Sequence, residues 1–294
     1  MKIRNLDGSE FEFDTPEKLV EAVALPPLQE TGGFFANLLY MRFRKSNLKA
    51  KMARIEDQKF LEAYGNLWDA HAEQMFKFFS QIFRSVNDKV NQIPPDQRIM
   101  PEASQVLNEM LRYAEDSYDN PDLQKLEDYY AWLITTAFDK QRIHSRHPAF
   151  RQIITQITSD EAIFFKALCD VVCLEKYSEF RYEPIMRIVV SRKDKPGEFV
   201  RFRNVCIVGF EAGCMFPEKS SAYIDNLQRS QLVDVKPESY LIEKERYEKI
   251  TLSDYYKSLI REIENDENLC APRAIPYLIG ITDFGKDFMN ACFR

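Results

Sequence analysis

The hydrophobic pattern of this 294-residue chain changes from helical to strand-like near Tyr182. Before this point apolar residues recur at helical spacing, as in the stripe Phe60, Tyr64 and Trp68. After it, the segments "EPIMRIVV" and "EFVRFRNVCIV" are rich in β-branched residues and flank "RKDKPG", which predicts a β-hairpin. We therefore predict a mainly α chain, α+β overall, whose N-terminal part is an all-α bundle.

Three parts follow from this pattern. Residues 1–25 are predicted to form a small element of one β-hairpin and one helix, because Asp7-Gly8 separates two short strand-like stretches. Residues 26–180 are predicted to form the helical bundle. Residues 181–294 alternate hairpin, helix and strand in an order that resembles a winged-helix module. An apolar content of 45% is enough to fill cores of this size.

Several helix starts can be identified from local signals. Asn120 followed by Pro121 predicts a capped helix over residues 121–139, after another helix over residues 102–115. In "TSDE", Thr158 is a candidate cap and Glu161, three residues later, is its capping-box partner. A short helix ending near Gln156 should precede this box.

Two of the three histidines, His144 and His147, stand three residues apart beside Pro148. On one helical face they could hold a metal ion or act in acid–base chemistry. However, proline disfavours helical angles at the residue before it, and Arg142 and Arg146 oppose cation binding. We therefore interpret the pair as a helix boundary, with Pro148 in the first turn of the next helix.

No local motif predicts an enzyme. The six cysteines contain no CxxC pair, and Cys169 and Cys173 are more simply explained as small core residues than as a zinc or redox site. The chain has no Walker loop, no GxSxG and no HExxH. We expect no catalytic residues, no cofactor and no bound metal, although a site built from distant residues would leave no such motif.

A basic segment near the N-terminus suggests a membrane surface as one alternative partner. The apolar run of residues 32–41 is too short to cross a bilayer, which takes about 20 apolar residues. It leads directly into a series of basic residues, and a helix of this kind could lie on anionic lipid. The candidate contacts are Phe34, Phe35, Arg42, Arg44 and Lys45. The other interpretation is a core helix with a solvated basic end, which we prefer.

A second basic group surrounds the predicted hairpin and suggests nucleic acid as another alternative partner. Its members are Arg187, Arg192, Lys193, Lys195, Arg201 and Arg203. Phosphate neutralisation by such residues dominates nucleic-acid affinity. The net charge of −6 and the acidic sequence after Pro217 argue against this function, so we do not favour it.

Three segments of the chain resemble a known family. The run "HPAFRQIITQITSDEA", the preceding "LRYAEDSYDNPDLQKLEDYYAWLITTAFDK" and the ending "YLIGITDFGKDFMNACF" are similar to corresponding segments of the abortive infection alpha family of bacterial proteins. The resemblance extends roughly over residues 25–293. The motif positions with plain structural interpretations are His147, Pro148, Phe150, Ile154, Phe284 and Gly285.

This resemblance implies resistance to bacteriophage by abortive infection, and it brings no catalytic residues with it. We therefore expect a cytoplasmic protein, or one attached to the inner membrane surface, that binds or senses a phage or host protein. The alternatives are a winged-helix regulator that binds nucleic acid and a peripheral membrane effector that uses residues 34–54.

Overall fold

A computed structural model describes the backbone of residues 2–4, 10–12, 58–172 and 182–293. The chain divides into two units, Met1–Arg146 and His147–Arg294. Helices and strands are both present, so the predicted α+β class is confirmed, and the term all-α does not describe the chain because the second unit contains a four-stranded sheet. The predicted boundary at residues 180 and 181 falls outside the described residues.

The first unit begins with the predicted pair of short strands. Strands β1 (Lys2–Arg4) and β2 (Glu10–Glu12) are antiparallel, with Ile3 opposite Phe11. Their pairing confirms the predicted hairpin, and the Asp7-Gly8 turn itself lies outside the described residues. The stretch of residues 13–57, which contains much of the predicted bundle, is also outside them, so the bundle as a whole stays a prediction.

The described helices of the first unit pack around one apolar core. They are α1 (Gln58–Asn91), α2 (Ala103–Asp119), α3 (Pro121–Lys125) and α4 (Glu127–Thr135), with short 3-10 turns at Pro95–Gln97, Thr136–Phe138 and Ile143–Ser145. Ile82, Met110, Tyr113 and Tyr130 are almost fully buried in this core.

The predicted helix over residues 121–139 is divided in the structure. Its start is as predicted, because the Asn120 side chain accepts from the amides of Asp122 and Leu123 at 3.1 and 3.3 Å. At Leu126 the amide donates to the carbonyls of both Asp122 and Leu123, which tightens the last turn of α3 and separates it from α4. Propensity alone does not reveal this break, because Leu126 is a good helix former that serves here as a buried core residue.

The second unit combines helices with a sheet. In chain order its elements are α5 (Ala149–Gln156), α6 (Ser159–Val172), β3 (Glu183–Arg192), β4 (Glu198–Val205), α7 (Val208–Glu211), a 3-10 turn (Pro217–Lys219), α8 (Ser220–Arg229), β5 (Val233–Lys236), α9 (Lys244–Leu252), α10 (Asp254–Glu264), β6 (Leu269–Ile281) and α11 (Asp283–Cys292). The hairpin and most helices agree with the sequence-based predictions, whereas α9 was not predicted.

The sheet is antiparallel throughout, in the order β4-β3-β6-β5. Alternate residues of β3 face helices α9 and α10, where Met186 and Ile188 join a core with Ile250 and Ile263. The winged-helix-like assignment is not confirmed. The β3–β4 hairpin comes before α7 and α8, and β3 pairs on its other side with β6 in the middle of the sheet.

One ion pair joins the start of β3 to α9 and leads to a prediction about pH. Burial raises the pKa of the Glu183 carboxyl, and the Arg246 guanidinium, 2.7 Å away, opposes this effect only in part. A carboxyl whose pKa is raised in the folded state stabilises the fold below its unfolded pKa and loses that contribution as the pH rises.

We therefore expect the substitution Glu183→Gln, which cannot titrate, to become more favourable relative to wild type as the pH increases from about 4 to about 7. Urea unfolding of both chains across this range measures the difference. A difference in unfolding free energy that is constant with pH would contradict the prediction.

Candidate interaction surface

The N-terminus of α6 is fixed by the predicted capping box. The Thr158 amide donates to Glu161 Oε2 at 2.7 Å, and the Glu161 amide donates to Thr158 Oγ1 at 3.2 Å. The other Glu161 oxygen accepts from Asn226 Nδ2 of α8 at 2.8 Å. This arrangement buries the carboxylates of both Asp160 and Glu161 in the first helical turn, where the helix dipole favours negative charge.

The Asp160 carboxylate reaches across to a segment more than 50 residues later in the chain. Its Oδ1 accepts from the Met215 amide at 3.0 Å, and its Oδ2 accepts from the Phe216 amide at 2.8 Å. The Tyr223 hydroxyl lies 2.8 Å from the same Oδ2 and 2.9 Å from the Phe216 carbonyl. The Cys214 thiol donates to the Asp160 carbonyl at 3.5 Å. We call these contacts the Asp160 anchor.

The anchor also determines the protonation of its partners. Burial raises the pKa of the Tyr223 hydroxyl, and the adjacent Asp160 carboxylate raises it further. Burial likewise raises the pKa of the Cys214 thiol to about 11. Both groups therefore stay protonated at neutral pH and act as hydrogen-bond donors, not as nucleophiles.

The segment that the Asp160 anchor holds carries large apolar side chains that are exposed to solvent. Phe210 is 42% exposed, Met215 is 71% exposed and Phe216 is 47% exposed. The Phe210 ring lies against the Tyr255 ring with their centroids 4.9 Å apart. We call Phe210, Met215, Phe216 and Tyr255 the apolar cluster. Since Asp160 binds the amides of Met215 and Phe216, the fold fixes the backbone that carries these two exposed side chains.

The predicted histidine pair occupies a helix boundary. His144 lies in the 3-10 turn Ile143–Ser145 and is exposed. His147 Nδ1 accepts from the Ala149 amide at 3.2 Å, and α5 begins at that residue. The helix-boundary interpretation is therefore confirmed. Within residues 58–172 and 182–293, no three His, Cys, Asp or Glu side chains are grouped as metal ligands would be.

The family-motif residues from the middle and the end of the chain meet in space. The ring centroids of His147 and Phe284 are 5.2 Å apart, and those of Phe150 and Phe284 are 5.1 Å apart. Phe288 of α11 lies 5.2 Å from Phe150, also between ring centroids. Phe150 and the motif residue Ile154 are buried, as predicted for core contacts. Two of the three segments that carry the resemblance therefore form one aromatic cluster.

The burial of most of the described cysteines agrees with a structural role. Cys169 is buried in α6, as predicted, and Cys173 lies outside the described residues. Cys206 is fully enclosed, and burial raises the pKa of its thiol to about 12. Such thiols are poor nucleophiles at neutral pH.

The basic residues of the hairpin do not form one continuous surface. Arg201 belongs to the edge strand β4, and its side chain reaches Glu262 of α10 at 2.8 Å. Arg187 is half-buried on the face of the sheet away from α9 and α10, between Met186 and Ile188, which face those helices. The remaining predicted contacts are exposed, and they are Arg192, Lys193, Lys195 and Arg203.

The predicted membrane contacts lie outside the described residues, and they are Phe34, Phe35, Arg42, Arg44 and Lys45. In the part of the chain that the structure describes, no helix combines the length and apolar character needed to cross a membrane.

Sequence reasoning missed the Asp160 anchor and the apolar cluster. In the sequence, Asp160 is recognisable only as part of the "TSDE" helix start, because no pattern among neighbouring residues connects it to Met215. One usable signal was present: "GFEAGCMFPEK" places large apolar residues in a segment with two glycines and a proline, where a loop and not a core is expected.

Comparison with known proteins agrees with the resemblance found in the sequence. A family model described as "Abortive infection alpha" matches residues 74–292. Comparison with curated proteins gives no match. Among solved structures, an uncharacterized protein from the hydrocarbon-degrading marine bacterium Alcanivorax borkumensis SK2 is similar over 52% of this chain and 94% of that chain, at 17% identity and a TM-score of 0.31. At this TM-score the likeness assigns neither a fold nor a function.

Proposed function

Because the chain belongs to the abortive infection alpha family, we propose that it protects bacteria from phage by binding a phage or host protein and not by catalysis. The family match over residues 74–292 supports the cellular role. The binding mechanism is supported by one structural observation, the exposed apolar cluster held in place by the Asp160 anchor.

The chemistry of the cluster suits contact with a protein. Aromatic side chains and methionine are enriched at the centres of protein interfaces, where they contribute most of the affinity. Exposed apolar groups are unfavourable in water, and a fixed backbone lowers the entropy lost on binding. Lys219 lies over the Phe216 ring at 4.7 Å, and Glu211 and Glu218 are exposed nearby in sequence, so charged groups border the apolar side chains.

The first test concerns the cellular role. Cells that carry the gene should yield fewer plaques than cells without it for at least one member of a broad phage panel. Equal plaque counts and equal survival across the panel would contradict the proposed role.

The second test concerns the surface. We expect the double substitution Met215→Ser and Phe216→Ser to abolish protection while changing the unfolding free energy by only about 0.5 kcal/mol, because both side chains are exposed. The matched control is Ile242→Ser, which removes an apolar side chain that is 91% exposed and lies outside the cluster. Full protection by the double variant would rule out this surface.

The alternative of a nucleic-acid-binding winged-helix regulator has less support. Arg201 is already paired with Glu262, and Arg187 is half-buried in the middle of the sheet. A salt-dependent gel shift that is lost on charge reversal at Arg201 and Arg203 would favour this alternative. A peripheral membrane effector would depend on residues 34–54, which the structure does not describe.

A further inference from the structure

Arg187 is an unusual cation, because it lies in the middle of the sheet and none of the described carboxylates pairs with it. Its side chain is half-buried, and its Nε–H is enclosed without a hydrogen-bond acceptor. Within the described part of the chain, no carboxylate forms an ion pair with it. Its guanidinium lies over the Tyr277 ring, 6.0 Å from the centroid.

Such a group is costly in a folded protein. Arginine stays charged at all accessible pH values, so the side chain cannot neutralise itself as a buried lysine can. A buried polar group without a partner loses its hydration and gains nothing in return. An unpaired donor in a native structure therefore calls for an explanation, and a missing ion is one of the usual ones.

The Tyr277 ring that Arg187 lies over has its hydroxyl engaged by another residue. This hydroxyl accepts from the Asn204 amide at 2.7 Å and donates to Asn204 Oδ1 at 2.7 Å. Asn204 Nδ2 in turn donates to Asp225 Oδ1 at 2.9 Å. The Tyr277 hydroxyl is therefore bonded to Asn204, and the contact of Arg187 with Tyr277 is with the ring.

Two further arginines share this face of the sheet. Phe202 packs against the core on the α9 and α10 side, so the next residue, Arg203, lies on the face of Arg187. Arg203 is exposed, and no described carboxylate pairs with it. Arg273 stands opposite Val189 on the same face and is paired with Glu198 at 2.6 Å. The face therefore carries more positive than negative charge.

We propose that the face of the sheet around Arg187 and Arg203 binds the phosphate group of a small molecule. A planar guanidinium can donate two parallel hydrogen bonds to the oxygens of one phosphate group. A bound phosphate would therefore supply the acceptors that Arg187 lacks. A small ligand fits better than a polynucleotide, because the nearby Arg201 and Arg273 are already paired with Glu262 and Glu198. The proposal goes beyond the proposed function and uses none of the residues of the apolar cluster.

The test is thermal unfolding of the full chain in inorganic phosphate, compared with sodium chloride at the same ionic strength. We expect phosphate at about 100 times its dissociation constant to raise the melting temperature by about 5 °C. In Arg187→Met the phosphate effect should disappear. Without phosphate this variant should melt no lower than wild type, because the substitution removes an unpaired charge and keeps an apolar stem.

Two other variants separate binding from stability. Arg192→Met changes an exposed arginine of the same strand that lies over Phe199, and it should keep the full phosphate effect. Arg203 is exposed, so the variant Arg203→Gln should fold normally. Its dissociation constant for phosphate should rise about tenfold, because one charged contact is lost.

Three results would overturn the proposal. The first is a phosphate effect no larger than that of chloride. The second is an effect that survives both Arg187→Met and Arg203→Gln. The third is binding of a thymidine oligonucleotide more tightly than phosphate with a salt dependence of several phosphate contacts, which would assign this face to a nucleic-acid backbone.

Discussion

Replacement of Asp160 by alanine should destabilise the second unit by about 4 kcal/mol, because it leaves the Met215 and Phe216 amides without their acceptor. The Tyr223 hydroxyl keeps only the Phe216 carbonyl as its acceptor. Each unpaired buried donor costs about 1–3 kcal/mol, and some water entry beside Met215 and Phe216 reduces the sum. Loss of the anchor should also release the segment around Gly213. Urea unfolding followed by circular dichroism measures the first effect, and limited proteolysis near Gly213 measures the second.

The control for this substitution is Asp194→Ala at the exposed tip of the β3–β4 hairpin. It removes the same carboxylate from a solvated position, so it should change the unfolding free energy by only about 0.5 kcal/mol. Equal unfolding free energies for the two variants would show that the Asp160 contacts add no stability. If Asp160→Ala also abolishes protection against phage at a temperature where the chain stays folded, the apolar cluster needs its fixed backbone to function.

Substitution of Gly285 by alanine should be almost as damaging, with a loss of about 3 kcal/mol. A Cβ atom at this position would lie 2.1 Å from the Leu232 carbonyl oxygen and 2.9 Å from Ile281 Cγ2. The first contact is with backbone, so α11 would have to move away from the end of α8. That movement would strain the helix cap, in which the Gly285 amide donates to Thr282 Oγ1 at 2.8 Å. Thermal unfolding should show a melting temperature lower by about 5–10 °C.

A second glycine provides the matched comparison. A Cβ atom at Gly280 would meet the Tyr182 ring at 2.6 Å, which is a similar clash but with a side chain. Because Tyr182 can rotate, Gly280→Ala should cost less than Gly285→Ala. If Gly280→Ala lowers the unfolding free energy as much as Gly285→Ala or more, the close contact with the Leu232 backbone does not explain why a glycine is needed at position 285.

Local features of the fold could be predicted from the sequence because they depend on neighbouring residues. The Thr158–Glu161 capping box, the start of α5 after Pro148 and the β3–β4 hairpin all involve groups close together in the chain. Gly285 could be named as a motif position from the sequence, but its close approach to Leu232 could not be identified there.

Features that depend on distant residues could not be predicted in this way. Strand β6 covers 13 residues from Leu269 and includes Pro272 and Pro276. Proline normally argues against a strand in the middle of a sheet. The partners of β6 come from tertiary pairing, which no periodicity within the strand reveals.

The Asp160 anchor and the apolar cluster could not be predicted from the sequence for the same reason. Asp160 acts on Met215 and Phe216 across 55 and 56 residues of sequence, so its partners cannot be identified from spacing. Arg187 belongs to a basic group in the sequence, but only the sheet shows that it lies half-buried on an inner strand, whereas Arg201 lies on the edge strand and pairs with Glu262.

The position of β6 has a consequence for synthesis of the chain on the ribosome. Ile185 of β3 pairs with Tyr277 of β6, which is made 92 residues later. At about 5–20 residues per second, β3 must wait for about 5–20 s before its partner is made. During that interval one edge of the nascent hairpin is open to other chains. Folding of the second unit is therefore completed only after β6 has been made.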